Sequence, residues 1–373
     1  MTTLNDILTT YKDLLEKYSF NKDLFLTLQK EYKEGVLSFQ SNILQEPYEM
    51  LSAQDIDCSL STSEHCKDLT DRGLESIKKK ELGILIVNGG MATRFGKEVK
   101  GLVDVYDKQS FLALKLQLIA AFCKKYNVEV PIFIMNSFNT EGTTLKFLQR
   151  NEYFGLEHRI TLFNQSISLR LTQEGNIYLY KEGCPAFYAP GHGEFQKSML
   201  LSGILQGFSQ RGGKYLMFIN VDNLAATLNP AIVGLHITSG YPLSFEVTKA
   251  FPGERGGIPL KVKGRKRLVE WLRLPADFNR KLMPYFNTNT MYFTVEALAK
   301  NVYNVPIAVV EKCIPQKVIQ FETIAGELSV FLDSNFILVP REGLETRFIP
   351  VKSKEDLDNN REFIKKVVNE RIK

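Results

Sequence analysis

From Glu81 onward, short apolar runs alternate with longer helical stretches, and this alternation restricts the chain to parallel βαβ units more tightly than any other feature. Gly83-Ile-Leu-Ile-Val87 has the unbroken apolar character of a strand buried on both faces. It runs straight into Asn88-Gly89-Gly90-Met-Ala-Thr-Arg94-Phe-Gly96-Lys97-Glu-Val-Lys100-Gly101. Glycines at the carboxyl end of a first parallel strand let the main chain approach a phosphate and offer its N–H groups where open α/β sheets bind ligands. The spacing is not GxGxxG, and Gly96-Lys97 is followed by Glu98 rather than Ser or Thr, so neither a dinucleotide fingerprint nor a Walker loop is present. What the loop does offer is three cations, Arg94, Lys97 and Lys100, suited to a polyphosphate. A tight turn with solvated lysines is the alternative.

The pattern continues with a helix capped by Ser110 and running to Cys123, a strand over 130–135 and a helix from Thr140 to Arg150. A strand at Ile160 to Phe163, a hairpin over 167–180 turning at Gly175-Asn176, a helix after Gly193 and a strand from Tyr215 to Asn220 follow. Residues 242–293 read as β-rich, strands are expected near Val318 and Phe336, and a charged helix from Lys354 closes the chain. Before Glu81, Leu4, Ile7, Leu8, Tyr11, Leu14 and Leu15 keep the three-and-four spacing of a buried helical face. A second helix is expected from Lys22 to Phe39, a polar stretch over 61–71, and a helix over 74–80. The expected division is a helical N-terminal segment, 1–80, and a catalytic α/β unit, 81–373.

Composition excludes several classes. Forty-seven Lys and Arg against 42 Asp and Glu leave only +5, and the densest basic cluster, Lys261 to Arg267, is too short for a nucleic-acid stripe. No apolar run approaches the roughly 18 residues of a membrane span, and the first residues lack a secretory h-region. Five scattered cysteines form no CxxC pair and four distant histidines no HxxxH pair, so a disulfide framework and a zinc site are not expected. A soluble, cytoplasmic protein with no nucleic-acid or membrane partner is the expectation.

The Gly-rich loop resembles the nucleotide-binding signature of sugar-nucleotide pyrophosphorylases. Further segments occur in the order seen in eukaryote-type UTP:glucose-1-phosphate uridylyltransferases: Met135-Asn-Ser-Phe-Asn-Thr140, Phe163-Asn-Gln165, Ala189-Pro-Gly-His-Gly-Glu194, Ile219-Asn-Val-Asp-Asn223, Glu246-Val-Thr-Lys249 with Arg255-Gly-Gly257, Phe286-Asn-Thr-Asn289, Ile319-Gln-Phe-Glu-Thr323 and Arg347-Phe-Ile-Pro-Val-Lys352. The resemblance implies a Rossmann-like nucleotidyltransferase, α/β with a mixed central sheet flanked by helices. It also implies a Mg²⁺-dependent reaction of UTP with glucose 1-phosphate to give UDP-glucose and pyrophosphate.

By that resemblance Val87, Asn88, Gly89, Gly90, Gln165, Gly191 and Asp222 contact the nucleotide. His192, Asn220, Val221, Lys249, Gly257, Glu270, Asn287 and Asn289 contact the sugar phosphate, and Lys352, Lys100 and Arg94 are catalytic. Physical chemistry agrees with several of these. The Gln165 amide can donate and accept at once, which suits a uracil edge, and Gly191 leaves room for the base. His192 lies between glycines at a helix start, where N–H groups favour phosphate. Asp222 emerges after an apolar strand, where Mg²⁺ needs a carboxylate, and the flanking Asn220 and Asn223 suit a ligand-facing turn. Asn287 and Asn289, two apart in an extended segment, share one face. A surface glutamine, a loop-packing histidine and a turn-forming Asp are the plain alternatives.

The loop departs from the family pattern. Ala92 replaces a common Gly, Val99 a common Pro, and one residue fewer separates Gly96 from Lys100, so Lys97 is a possible substitute for Lys100. The sequence ends roughly twenty residues after Lys352, whereas eukaryotic relatives continue into a C-terminal β-helix used for oligomer contacts, so a monomer is the expectation. A UDP-N-acetylhexosamine or broad UDP-sugar pyrophosphorylase, or a catalytically weak sugar-nucleotide-binding protein, stands as the alternative.

Overall fold

A computed structural model describes residues 2–372 apart from 62, 93–97, 252 and 280–282. The central sheet has eight strands: β1 (Ile56–Asp57), β2 (Leu82–Val87), β3 (Ile132–Asn136), β4 (Ile160–Asn164), β5 (Tyr215–Asn220), β6 (Leu243–Lys249), β7 (Tyr285–Thr294) and β8 (Ser334–Leu338). Their order across the sheet is β1-β8-β6-β7-β5-β2-β3-β4. β7 runs antiparallel to β5 and β6, and every other pairing in the sheet is parallel. This mixed sheet flanked by helices is the α/β architecture that the alternating pattern predicts.

Strand register decides where chemistry collects. β2 pairs with β5 from Leu82 opposite Tyr215 to Val87 opposite Asn220, and with β3 up to Val87 opposite Met135. The carboxyl ends of β2, β3 and β5 therefore finish together. The reversed β7 delivers its amino end to the same edge, with Tyr285 opposite Lys249 at the end of β6. Side chains alternate between faces along each strand. Leu82, Ile84, Ile86, Met217 and Ile219 join an apolar core with the helices Phe111–Tyr126, Pro230–Ser239 and Lys354–Ile372. Leu85, Leu216, Phe218, Met291 and Phe293 join a second core with Phe195 and Met199.

The first 80 residues contribute more than helices. Tyr48–Met50 pairs with the Ile258–Val262 and Arg265–Val269 hairpin, and Ile56–Asp57 is the edge strand β1 of the main sheet. The stretch read as polar from 61 to 71 lies mostly inside one helix, Ser63–Lys78, whose Leu69 and Ile77 are buried. Packing overrides its low helix propensity. That helix lies against Pro230–Ser239 at very close range: a methyl group at Gly73 would meet the Pro230 carbonyl oxygen at 1.9 Å, and one at Gly234 the Leu69 carbonyl oxygen at 1.9 Å. The helix expected over 22–39 stops at Lys33, ahead of Gly35 at φ +75°. With Leu4–Thr10 and Lys12–Lys17 it presents Ile7, Leu15, Phe25 and Leu28 to Ile167, Leu169, Ile319 and Phe321. Among the described residues no helix is long and apolar enough to cross a membrane.

Candidate active site

A cavity of about 360 Å³ opens at the carboxyl edge of the sheet. Ten of the expected site residues line it: Lys100, Gly191, His192, Asn220, Asp222, Gly257, Glu270, Asn287, Asn289 and Lys352. They come from the end of β5 and the first half of β7, the turns after β2 and β5, the loop at 191–192 between β4 and β5, the stretch at 257–270 between β6 and β7, and the segment after β8, so no local stretch could build it. Val87, Asn88, Gly89, Gly90, Gln165 and Val221 are not among the lining residues, and Lys249 is exposed at the end of β6 without lining the cavity. Arg94 and Lys97 lie outside the described residues.

Asp222 forms an ion pair with Lys100, oxygen Oδ2 to Nζ, with both side chains mostly shielded. The Lys100 backbone is set by the Gly-rich turn: its N–H donates to Gly90 O at 3.1 Å, and Met91–Ala92 pairs antiparallel with Glu98–Val99. Also in the lining, the Lys352 ammonium donates to Arg255 O at 3.3 Å, while its backbone N–H donates to Asp356 Oδ2 at 2.8 Å. Among the described residues no group of three His, Cys, Asp or Glu could hold a metal.

Several expected residues are placed by unexpected means. The Asn88 side chain points into the fold: Nδ2 donates to Asn136 Oδ1 and to Thr144 Oγ1, each at 2.9 Å, and ties β2 to β3 and the Glu141–Arg150 helix. Among the described residues its Oδ1 is buried without a partner. The reading of Asn88 as a nucleotide contact therefore holds for its side chain only if the carboxamide turns around. Gln165 is also engaged, because its Oε1 accepts the Gly191 N–H at 3.1 Å. A methyl at Gly89 would meet Gln165 Nε2 at 2.0 Å, so the carboxamide bridges the two glycine loops.

Gly191 has φ +104°, and a methyl there would meet Thr323 O at 2.6 Å, so this position needs glycine. The loop is sewn to residues 323–325: Thr323 N–H donates to Pro190 O at 2.7 Å, Gly193 N–H to Thr323 O at 3.0 Å, and Ala325 N–H to His192 Nδ1 at 3.1 Å. Nδ1 thus accepts, and a neutral ring carries its proton on Nε2. Burial pulls the imidazole down to about 4, against an upward pull from Glu322, so His192 is uncharged at neutral pH.

Asn287 and Asn289 reach the cavity by a bulge rather than by simple alternation. Phe245 faces Met291 and Val247 faces Asn287, leaving Glu246 alone opposite the residues between. Asn289 adopts φ +58°, and its N–H donates to Asn287 Oδ1 at 3.0 Å. Nearby, Glu270 lines the cavity close to Gly257, where a methyl would meet Glu270 Oε1 at 2.9 Å. Burial first, then the Glu327 carboxylate, push its carboxyl up to about 7, with Arg273 opposing.

Sequence reasoning missed the buried polar residues behind the wall. Asn223 lines the cavity, but its carboxamide is spent within the fold: Nδ2 donates to Arg347 O at 3.1 Å and Oδ1 accepts the Ile349 N–H at 3.3 Å, fixing the segment that carries Lys352. Arg347 is forked onto Glu246, with Nε 2.9 Å from Oε2, and Tyr292 OH donates to the same carboxylate at 2.9 Å. Lys115 is buried beneath the Asp222 turn, where burial and then Arg347 pull its amine down to about 7. The signal in the sequence was a lone lysine within the apolar run Phe111-Leu-Ala-Leu-Lys115-Leu.

Comparison with known proteins agrees with this architecture. The family model described as UTP--glucose-1-phosphate uridylyltransferase matches residues 24–366. A probable UTP--glucose-1-phosphate uridylyltransferase of Schizosaccharomyces pombe is 29% identical over 95% of this chain and 72% of its own length. The UTP--glucose-1-phosphate uridylyltransferase of Encephalitozoon cuniculi is 32% identical over 77% of this chain, and the matched part spans 59% of that relative. The solved UDP-glucose phosphorylase of Trypanosoma brucei has the same fold, with a TM-score of 0.77 and 23% identity over 95% of this chain and 77% of that one. With the family model spanning the sheet, the glycine loop and the Lys352 segment alike, the chain belongs to the UTP--glucose-1-phosphate uridylyltransferase family.

Proposed function

We propose that this chain transfers a uridylyl group from UTP to glucose 1-phosphate, giving UDP-glucose and pyrophosphate. The observation that carries the reading is the convergence of Lys100, Asp222, Glu270, Asn287 and Lys352 on one cavity at the carboxyl edge of the sheet. The two lysines suit phosphates, and the Glu270 carboxyl with the Asn287 and Asn289 amides suits sugar hydroxyls. Glucose 1-phosphate, with a second pKa near ~6, is largely dianionic at neutral pH. One of its phosphate oxygens forms the new bond to the UTP α-phosphorus, and the bond from that phosphorus to the departing pyrophosphate breaks. No proton moves, so no general base is required.

The residues align the reactants and balance charge as it shifts to the leaving group. Lys100 and Lys352, both in the lining, neutralise phosphate oxygens. Neutral His192 offers an Nε2–H donor. Asp222 is the oxygen donor that fits Mg²⁺: a single carboxylate matches an ion that takes one or two protein carboxylates and completes its shell with phosphates and water. When bound, Mg²⁺ would draw charge from the phosphate oxygens.

Pyrophosphate release from UTP, Mg²⁺ and glucose 1-phosphate tests the reading, and release no faster than without protein would reject it. Running the reverse reaction on UDP-glucose and UDP-N-acetylglucosamine separates the two sugar preferences.

A further inference from the structure

We propose that Lys115 is a positioning residue: its buried side-chain amine fixes the main chain of the turn that carries Asp222. The inference rests on the uridylyltransferase reading for its kinetic consequence and on geometry alone for the positioning.

Lys115 sits in the Phe111–Tyr126 helix with 1% of its surface exposed, between the fully buried Leu114 and Leu116. A methionine would fill such a position without the desolvation penalty of an amine, which is on the order of a few kcal/mol. The amine is nonetheless aimed at one target. Its Nζ donates to Asn223 O and, at 2.9 Å, to Ala226 O. These carbonyls lie one and four residues after Asp222. Beyond the end of β5 the chain has no sheet partner, and buried carbonyls there need other donors; Asn223 O also accepts the Ala226 N–H at 3.1 Å. Lys115 supplies two, and Arg371 from the closing helix supplies Ala225 O at 2.6 Å. Among the described residues Lys115 makes no ion pair, so its partners are the turn carbonyls and not a structural carboxylate. Charged or neutral, the amine has two N–H groups to give, so the clamp does not depend on its protonation.

The chain of support is short. Lys115 holds Asn223, Asn223 follows Asp222 directly, and the Asn223 side chain holds the Arg347–Ile349 main chain. One amine thus steadies the Asp222 carboxylate and, through Asn223, the approach to Lys352.

Lys115→Met removes both donors at similar volume, and Lys115→Gln keeps two N–H donors on a shorter arm. In Lys115→Met, kcat is expected to fall about 10- to 100-fold, with KM for both substrates within about twofold of wild type. Lys115→Gln should give an intermediate kcat. Backbone amides of residues 222–228 should exchange hydrogen faster in Lys115→Met, while strand β2 keeps its protection. Unchanged exchange at 222–228 overturns the positioning whether or not the protein is active, and so does a raised KM with unchanged kcat. Should Lys115→Met fail to fold, Lys115→Gln decides: faster exchange with reduced kcat supports the role, and wild-type kcat with a loosened turn overturns it. Failure of the wild type to release pyrophosphate would instead reject the reaction, leaving the exchange result to stand by itself.

Discussion

The Arg347 guanidinium is forked onto the Glu246 carboxylate inside the protein, and this pair joins β6, beside the Asn287–Asn289 bulge, to the segment that carries Lys352. Glu246 stands opposite the β7 bulge, its backbone O accepting the Thr288 hydroxyl at 2.9 Å, while Arg347 begins the segment that ends at Lys352. Glu246 is 0% and Arg347 4% exposed. Removing one partner strands a buried charge, which costs about 3–5 kcal/mol. Arg347→Met is therefore expected to lower the urea midpoint substantially, and the paired change Glu246→Gln with Arg347→Met to recover part of the loss. An unfolding free energy within about 0.5 kcal/mol of wild type for the single variant would contradict the buried pairing.

Lys100 and Lys352 are partly exposed and tied to the fold by few bonds. Lys100→Ala and Lys352→Ala should each lower turnover by orders of magnitude, while stability changes by no more than about 1 kcal/mol. Steady-state kinetics beside thermal unfolding checks this. Wild-type turnover in both variants would remove these lysines from the reaction.

On the proposed reaction, Glu270 gives the cavity a pH signature. Its carboxyl is raised to about 7, so it ionises across the neutral range rather than below it. A sugar hydroxyl donates best to the carboxylate, so KM for glucose 1-phosphate should fall as pH rises from 6 to 8, beyond the change seen in Glu270→Gln. Stability runs the other way: a raised carboxyl favours the folded state below its unfolded value, and that advantage is lost as pH rises through 7. Glu270→Gln is expected to unfold at a higher temperature than wild type at pH 8 but not at pH 5. Parallel pH profiles for the two proteins would argue against this role.

Acid should weaken the fold through a buried histidine. His236 is 1% exposed, its Nδ1 lies 2.8 Å from Ser244 Oγ, and burial pulls it down to about 3. Because the folded value lies below the unfolded one, its contribution is complete above pH ~6.5 and is lost as pH falls toward 3, at up to about 1.4 kcal/mol per pH unit. Urea midpoints measured from pH 7 to 4.5 should drop less steeply in His236→Asn than in wild type.

Much of this was readable beforehand, and the limits have physical causes. Strands β2 and β5 and the helix behind Ser110 follow from continuous apolar runs and a capping hydroxyl, which are local properties. The gathering of Lys100, Asp222 and Lys352 was reachable only through motif order, since sheet pairing sets it. The bulge at Asn289 escaped because a positive φ at asparagine leaves no trace in a pattern of alternation. The resemblance puts Asn88 on the nucleotide and Asn223 suits a ligand-facing turn, yet both carboxamides are engaged in internal hydrogen bonds, because buried main-chain and amide groups near strand ends take the nearest polar side chain. Lys115 and the Glu246–Arg347 pair were passed over because a charged residue in an apolar run has no interpretation until its partner is seen. The strand β1 was hidden by its length of two residues.

The seam between Pro190–Gly193 and Thr323–Ala325 gives the cavity two foundations. Lys100 and Asp222 stand on the central sheet, whereas Gly191 and His192 hang from a strand, Lys317–Glu322, whose Ile319 and Phe321 are roofed by the first helices of the chain. The helical layer is thus the footing of one wall of the cavity, and a void cut into Ile7 or Phe25, outside the cavity lining, would be felt first at Gly191 and His192 and last at Lys100 and Asp222.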